Sequence, residues 1–253
     1  MVYFVGAGSG DPELITVKGQ RLLSEADVVI YAGSLVNPEI LKACRQDALI
    51  YNSAKMTLEE VLEAVKRAED EGKMTVRLHT GDPCLYGAIR EQMDQLDDLG
   101  IKYDYIPGVS SFCGAAAALQ EEYTLPDVSQ SVVITRMAGR TPVPERESIR
   151  SFAAHHATMV IFLSSGMIKE LSDELIAGGY SADSSAAIVY KATWPDQKVV
   201  RCTVGTLYEE SERENIHNLA LIIVGDFLDH EYERSKLYDP AFTTAFRKGT
   251  DEA

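Results

Sequence analysis

The first half of the chain repeats one pattern three times: a short apolar run, a glycine-bearing turn, then a stretch with helical spacing. Residues 2–5 run into Gly6-Ala7-Gly8-Ser9-Gly10-Asp11-Pro12, followed by helical spacing over 13–25 through Leu14, Val17, Leu22 and Leu23. Residues 74–79 run into Thr80-Gly81-Asp82-Pro83, and the spacing predicts a helix over 85–99 that stops at Gly100. Residues 101–106 run into Pro107-Gly108-Val109-Ser110-Ser111-Phe112 and a helix of small residues over 113–119. Between the first two repeats lie a buried-strand run at 27–31, ending at Gly33, and an amphipathic helix over 57–71. That helix opens on a capping box, Thr57 with Glu60, and carries a stripe of Leu58, Val61, Leu62 and Val65. Strand–helix alternation of this kind argues for a parallel sheet with helices on both faces, because each crossover must pass over a face. Ligands of such sheets bind beyond the carboxyl ends of the strands. All three glycine-bearing loops fall there.

The second half is patterned differently. Residues 131–135 and 158–163 read as buried strands, separated by a Pro/Arg-rich connection over 136–146. Residues 186–192 and 198–204 flank Trp194-Pro195-Asp196-Gln197 and read as a hairpin, and 219–224 as a final central strand. The expected fold class is α/β with two α/β domains and the active site in the cleft between them. Residues 1–119 form an N-terminal domain with a mostly parallel sheet, and 120–253 a C-terminal domain with a mixed sheet. The polar tail over 234–253 is expected to lie on the surface or to fray.

Composition narrows the partners. The chain has 24 Lys+Arg against 39 Asp+Glu, a net charge of −15. Duplex nucleic acid and anionic membrane surfaces are both excluded by that balance, since each is held by a basic face. An apolar content of 45% is enough for a core and argues against disorder. No apolar stretch approaches the ~18 residues of a membrane span, and the N-terminus has no basic stretch before its apolar run. The four cysteines, Cys44, Cys84, Cys113 and Cys202, form no CxxC pair, and the five histidines no HExxH. A cytoplasmic protein with reduced thiols and no metal site of its own is expected.

Residues 6–10 invite a dinucleotide reading, in which a helix N-terminus inside G-x-G-x-x-G meets a pyrophosphate. Here the third glycine comes one residue early, Asp11 stands in its place, and Glu13 opens the helix. Two carboxylates there would compete with a phosphate for the same dipole. The pattern argues against NAD and leaves a nicotinamide-dependent oxidoreductase as the rival from another class. A purely conformational reading makes 6–12 a tight turn with Asp11 as N-cap and Pro12 at the first helical position. It does not explain three such loops on one sheet edge, which point to a binding cleft.

The loops resemble the motifs of the tetrapyrrole methylases. Residues 6–16, Gly-Ala-Gly-Ser-Gly-Asp-Pro-Glu-Leu-Ile-Thr, match the opening motif, and Gly81-Asp82-Pro83 with Tyr86-Gly87 and Pro107-Gly108-Val109-Ser110-Ser111 are the next two in order. Residues 31–39, Thr124-Leu125-Pro126, Ser129-Gln130 and the 135–145 block narrow the likeness to members that methylate C-11 of precorrin-4 or cobalt-precorrin-4 in cobalamin synthesis. The likeness runs from Val2 to about Arg247. It implies a homodimeric C-methyltransferase that uses S-adenosylmethionine and releases S-adenosylhomocysteine. Carried over residue by residue, the methyl donor meets Pro12, Gly81, Asp82, Leu85, Tyr86, Ser110 and Ser111, with Leu163, Tyr190, Ala220 and Leu221 about its adenine. A tetrapyrrole substrate is expected to meet Gly8, Asp11, Arg136 and Arg140, with Lys55, Lys18 and Lys191 as weaker cations. Arginine forks suit its carboxylates, and the 131–146 segment has three arginines against one glutamate. Asp82, Asp11 and Tyr86 are candidates for a proton-handling catalytic group, with N-capping the alternative for both aspartates. Relatives of the same fold act on other corrin carbons or, as diphthine synthase does, on a modified histidine. Those remain open, as does whether the ring already holds cobalt.

Overall fold

The computed structural model describes residues 1–229 and 232–250. The chain divides into two compact units, Met1–Ala118 with Lys191–Gln197, and Leu119–Tyr190 with the chain from Lys198 onward. The division differs from a single cut at 119/120 chiefly in Lys191–Gln197, which belongs to the first unit.

The first unit is built on β1 (Val2–Gly6), β2 (Val28–Tyr31), β3 (Leu49–Asn52), β4 (Thr75–His79) and β5 (Tyr103–Ile106). All pairings are parallel, in the order β3-β2-β4-β1-β5. Period-2 alternation sends Val5, Val29, Val76 and Leu78 to one face, against Leu22 and Leu23 of α1 (Val17–Glu25). The opposite face buries Val2, Phe4, Val28 and Ile30 against Val61 and Val65 of α2 (Leu58–Asp70) and Leu96 of α3 (Arg90–Asp98). The expected capping box opens α2, with reciprocal bonds between Thr57 and Glu60.

Two expected helices are shorter than their apolar spacing. Over 13–25, Pro12–Leu14 forms a separate 3-10 turn, and α1 starts only after Thr16, whose side chain accepts from Gly19 N–H. Over 85–99, the Asp82 carboxylate draws the Cys84 N–H into a local turn, and Tyr86 (φ 57°) and Ala88 (φ 48°) take left-handed backbone that a helix cannot hold. Helix α3 therefore begins at Arg90.

The second unit carries β6 (Val132–Arg136), β7 (Thr158–Phe162), β8 (Ser185–Tyr190), β9 (Lys198–Thr203) and β10 (Ala220–Val224). Their order is β6-β7-β10-β8-β9, parallel only between β6 and β7. This is the expected mixed sheet, with the β8–β9 hairpin and β10 at its centre. Helix α4 (Ser111–Leu119) closes the first unit's continuous segment, and the second unit adds α5 (Ile149–Ala153), α6 (Ile168–Gly178) and α7 (Leu207–Arg213). The core sets Met159, Ile161, Ile188 and Ile222 against Leu171 and Leu175 of α6 and Leu207 of α7.

Strand β4 also buries two ionisable side chains, Arg77 and His79. Arg77 donates to Gln92 Oε1 at 3.0 Å and to the Ile30 carbonyl at 3.0 Å. His79 is buried with its Nε2 unpartnered. Burial first, and the Arg77 charge second, push the His79 imidazole down to about 3, so it stays neutral. An unfolded histidine, titrating near 6.5, binds a proton that the folded one refuses. This contribution to stability is complete above about pH 6.5 and is lost as the pH falls towards 3. Urea denaturation is expected to show a lower midpoint at pH 5 than at pH 7, and His79→Leu to shrink that difference.

Candidate active site

The strand order places β1 between β4 and β5. The chain leaves β1 towards β2 but leaves β4 towards β5, so the two connections run in opposite directions over opposite faces where β1 and β4 lie side by side. That is the switch point at which open α/β sheets bind ligands. Three loops fuse there. Ala7 N–H donates to the His79 carbonyl at 2.7 Å, and Gly8 and Gly81 exchange backbone bonds at 2.8 and 3.3 Å. Gly6 sits so close to the third loop that a Cβ would lie 2.6 Å from Gly108 Cα and 2.6 Å from the Gly81 carbonyl oxygen. The side chain is missing because three backbones occupy its space.

Asp82 ties this junction together. Its carboxylate accepts from Gly108 N–H at 2.9 Å, from Cys84 N–H at 2.9 Å, and from the Tyr105 hydroxyl. Burial alone would raise this carboxyl, but the bonds from Tyr105, Cys84 and Gly108 outweigh it and hold it below the usual carboxylate range. Tyr105 is driven the other way, by burial and then by its bond to Asp82, and remains a protonated donor.

The first loop is held from a different direction. The Asp11 carboxylate accepts from Glu13 N–H at 2.9 Å, the expected N-cap. The Asp11 N–H donates to Thr193 Oγ1 at 3.0 Å, the Ser9 hydroxyl lies 3.0 Å from the same oxygen, and Asn37 Nδ2 donates to the Gly10 carbonyl at 2.9 Å. Trp194 lies where a Gly10 side chain would project. A pyrophosphate on this loop would have to displace protein groups already bonded there, which removes the geometric basis of the NAD reading.

The expected contacts sort into two groups. Gly8, Asp11, Gly81, Asp82, Leu85, Tyr86 and Ser110 lie on loops at the carboxyl end of the first sheet, and Pro12 and Ser111 open the helical turns that follow two of them. Ser110 is buried, and its carbonyl accepts the first amides of α4, from Cys113 at 3.0 Å and Gly114 at 3.2 Å. Lys55 is exposed in a 3-10 turn just past edge strand β3. Lys18 pairs with Asp104 and Lys191 with Asp196, so neither is an unclaimed cation.

In the second unit, Arg136 ends β6 beside Phe162, and Tyr190 ends β8 opposite Ala220, with Leu221 next along β10. Leu163 directly follows β7. These residues share one end of that sheet. Leu163 (φ 51°) and Leu219 (φ 52°) hold left-handed backbone there, and Leu163 is 56% exposed. Non-glycine residues in that region cost about 1–3 kcal/mol each and concentrate at functional sites. The Arg136 guanidinium donates to the carbonyls of Met137 at 3.1 Å, Thr141 at 3.2 Å and Pro142 at 2.9 Å. It braces its own loop, on which Arg140 is exposed.

The residues that sequence reasoning missed are Tyr105, Asn37, Thr193 and Trp194. Among the described residues, no group of three His, Cys, Asp or Glu is placed to hold a metal, and no helix is long and apolar enough to cross a membrane.

Comparison with known proteins bears on the same features. A sequence profile of the Tetrapyrrole (Corrin/Porphyrin) Methylases matches residues 1–208. A cobalt-precorrin-4 C(11)-methyltransferase of Methanocaldococcus jannaschii is 52% identical over 98% of this chain and 96% of its own length. A solved cobalt precorrin-4 methyltransferase superposes with a TM-score of 0.88 at 47% identity, covering 90% of this chain and 95% of the other. A uroporphyrin-III C-methyl transferase from Thermus thermophilus, solved with S-adenyl homocysteine, gives 0.76 at 26% identity, covering 92% and 95%. The chain belongs to the tetrapyrrole methylase family.

Proposed function

We propose that this chain is an S-adenosylmethionine-dependent methyltransferase that methylates C-11 of cobalt-precorrin-4 in cobalamin synthesis. The observation that carries the reading is the loop junction around Asp82. It lies at the switch point of the first sheet and holds an ionised carboxylate on two backbone amides and a phenol. A phosphate cofactor would meet like charge there, whereas a cationic sulfonium meets an opposite one. The full-length likeness to relatives named for the cobalt-bearing ring supports the choice of substrate.

Gly81, Leu85, Tyr86, Ser110, Ser111 and Pro12 are the proposed contacts from the first unit. Leu163, Tyr190, Ala220 and Leu221 are the second unit's share. The methyl donor supplies an already activated electrophile, so the chain's work is to align an electron-rich ring carbon with it and to exclude water. Asp82, with a depressed pKa and three donors on its oxygens, is a poor proton acceptor and serves to hold the loops. Asp11 and Tyr86 are left as the groups that could handle a proton. Arg140 and Lys55 are proposed to meet substrate carboxylates, with Arg136 setting the loop that carries Arg140. A cytoplasmic homodimer without a nucleic-acid partner is part of the same reading.

Calorimetric titration is expected to give binding of S-adenosylhomocysteine and none of NAD, and the labelled donor is expected to pass its methyl group to cobalt-precorrin-4. Binding of NAD alone would overturn the reading. Arg140→Ala should raise KM for the tetrapyrrole severalfold, about the worth of one charge-assisted contact, and leave the Kd for S-adenosylhomocysteine unchanged in calorimetry. Tyr105→Phe removes one donor from Asp82, whose carboxyl then titrates nearer its ordinary value. The expected outcome is weaker S-adenosylhomocysteine binding with an acid-side loss that begins at a higher pH than in the wild type. A pH profile superposing on the wild type would show that Tyr105 does not tune Asp82.

A further inference from the structure

We propose that Thr193, at the connection between β8 and β9, is a positioning residue that sets the first glycine-rich loop for the tetrapyrrole. This rests on the functional reading above and adds to it a residue outside every motif that reading used.

The geometry is specific. The Thr193 hydroxyl oxygen accepts the Asp11 N–H at 3.0 Å and bonds the Ser9 hydroxyl at 3.0 Å. It thereby spans the two residues on either side of Gly10. Ser9 is buried, and a Cβ on Gly114 of α4 would strike its side chain, so the residue is confined from that side as well. Trp194 covers Gly10 itself, and its ring carries the Lys191 ammonium 5.0 Å from its centroid.

The connection that delivers these groups is itself braced. Thr193 N–H donates to Gln197 Oε1 at 2.7 Å, Trp194 N–H to the Lys191 carbonyl at 3.0 Å, and Gln197 N–H to the Trp194 carbonyl at 3.1 Å. Lys191 pairs with Asp196 at 2.6 Å. Both Lys191 (φ 45°) and Thr193 (φ 69°) hold left-handed backbone, disfavoured for any side chain and most of all for a β-branched one. The connection keeps a costly conformation, and what it delivers is one hydroxyl placed between Ser9 and Asp11.

On the functional reading, Gly8 and Asp11 meet the tetrapyrrole, whereas the first unit's donor contacts, Pro12 apart, lie on the loops at 81–86 and 110–111. The Thr193 hydroxyl bonds to Asp11 of the first set and to its neighbour Ser9. Its loss should therefore separate the two ligands. Thr193→Val keeps the branched shape and removes the hydroxyl; Thr193→Ser keeps the hydroxyl. Steady-state kinetics at saturating S-adenosylmethionine should show KM for cobalt-precorrin-4 raised about tenfold in Thr193→Val, equal to ~1.4 kcal/mol, and restored in Thr193→Ser. The Kd for S-adenosylhomocysteine should stay within about twofold of the wild type, a difference of less than ~0.5 kcal/mol. Hydrogen exchange gives a readout independent of turnover, with the Asp11 amide exchanging faster in Thr193→Val alone.

Unchanged tetrapyrrole kinetics in Thr193→Val would overturn the proposal. So would a parallel loss of S-adenosylhomocysteine affinity, which marks a general structural role. If the wild type itself transfers no methyl group, the functional reading falls and this proposal with it. If the wild type turns over and Thr193→Val matches it, only this proposal falls.

Discussion

The hydrogen bonding of one carboxylate organises the carboxyl end of the first unit's sheet. Asp82 follows β4, and its three donors come from its own turn, from β5 and from the residue after Pro107. Withdrawing a carboxylate from water is costly unless its lone pairs are filled. Here the filling groups can converge only if the loops after β4 and β5 are already side by side. The glycines at 6 and 108 permit that approach by leaving no side chain between backbones. Charge and close packing thus depend on each other: the missing side chains bring the donors within reach, and the ionised carboxylate keeps the backbones together.

The second unit solves a related problem with cations and strain. Its sheet mixes directions, so the carboxyl ends of β6, β7 and β8 share one edge with the start of β10 and form no unbroken row. Instead a single arginine gathers three carbonyls of its own loop. A planar, forked donor can do this where an ammonium on a flexible stem would hold one geometry less firmly. Left-handed backbone at Leu163 and Leu219 adds a fixed cost at the same end of the sheet. In both units the rigid strands carry irregular segments whose conformations are over-determined by their neighbours.

Much of this was legible in the sequence, and the failures share a cause. The parallel and mixed sheets, the α2 capping box, the Asp11 cap and the β8–β9 hairpin follow from local periodicity and turn chemistry. Strand β3 was missed because it is an edge strand with Leu49 and Ile50 about half exposed, so it lacks the apolar run that marks a buried strand. The helices over 13–25 and 85–99 were overextended because apolar spacing continues through positions where side-chain-to-backbone bonds stop the helix. Arg136 read as a free fork because its carbonyl partners lie in a loop whose path no pattern specifies. Tyr105 and Thr193 were invisible for a stronger reason. Each acts on a residue far away in the chain, Tyr105 across 23 positions and Thr193 across 182, and only the folded register brings the partners together.

The membership of Lys191–Gln197 in the first unit bears on how the chain can be divided. A fragment ending after α4 would contain all five strands of the parallel sheet and every glycine of its loops. It would still lack the hydroxyl that meets Ser9 and Asp11 and the indole that covers Gly10. The first unit is therefore discontinuous in sequence, and it is completed only after most of the second has been synthesised. During translation the opening loop waits for a connection 182 residues further along the chain before its bonds can close.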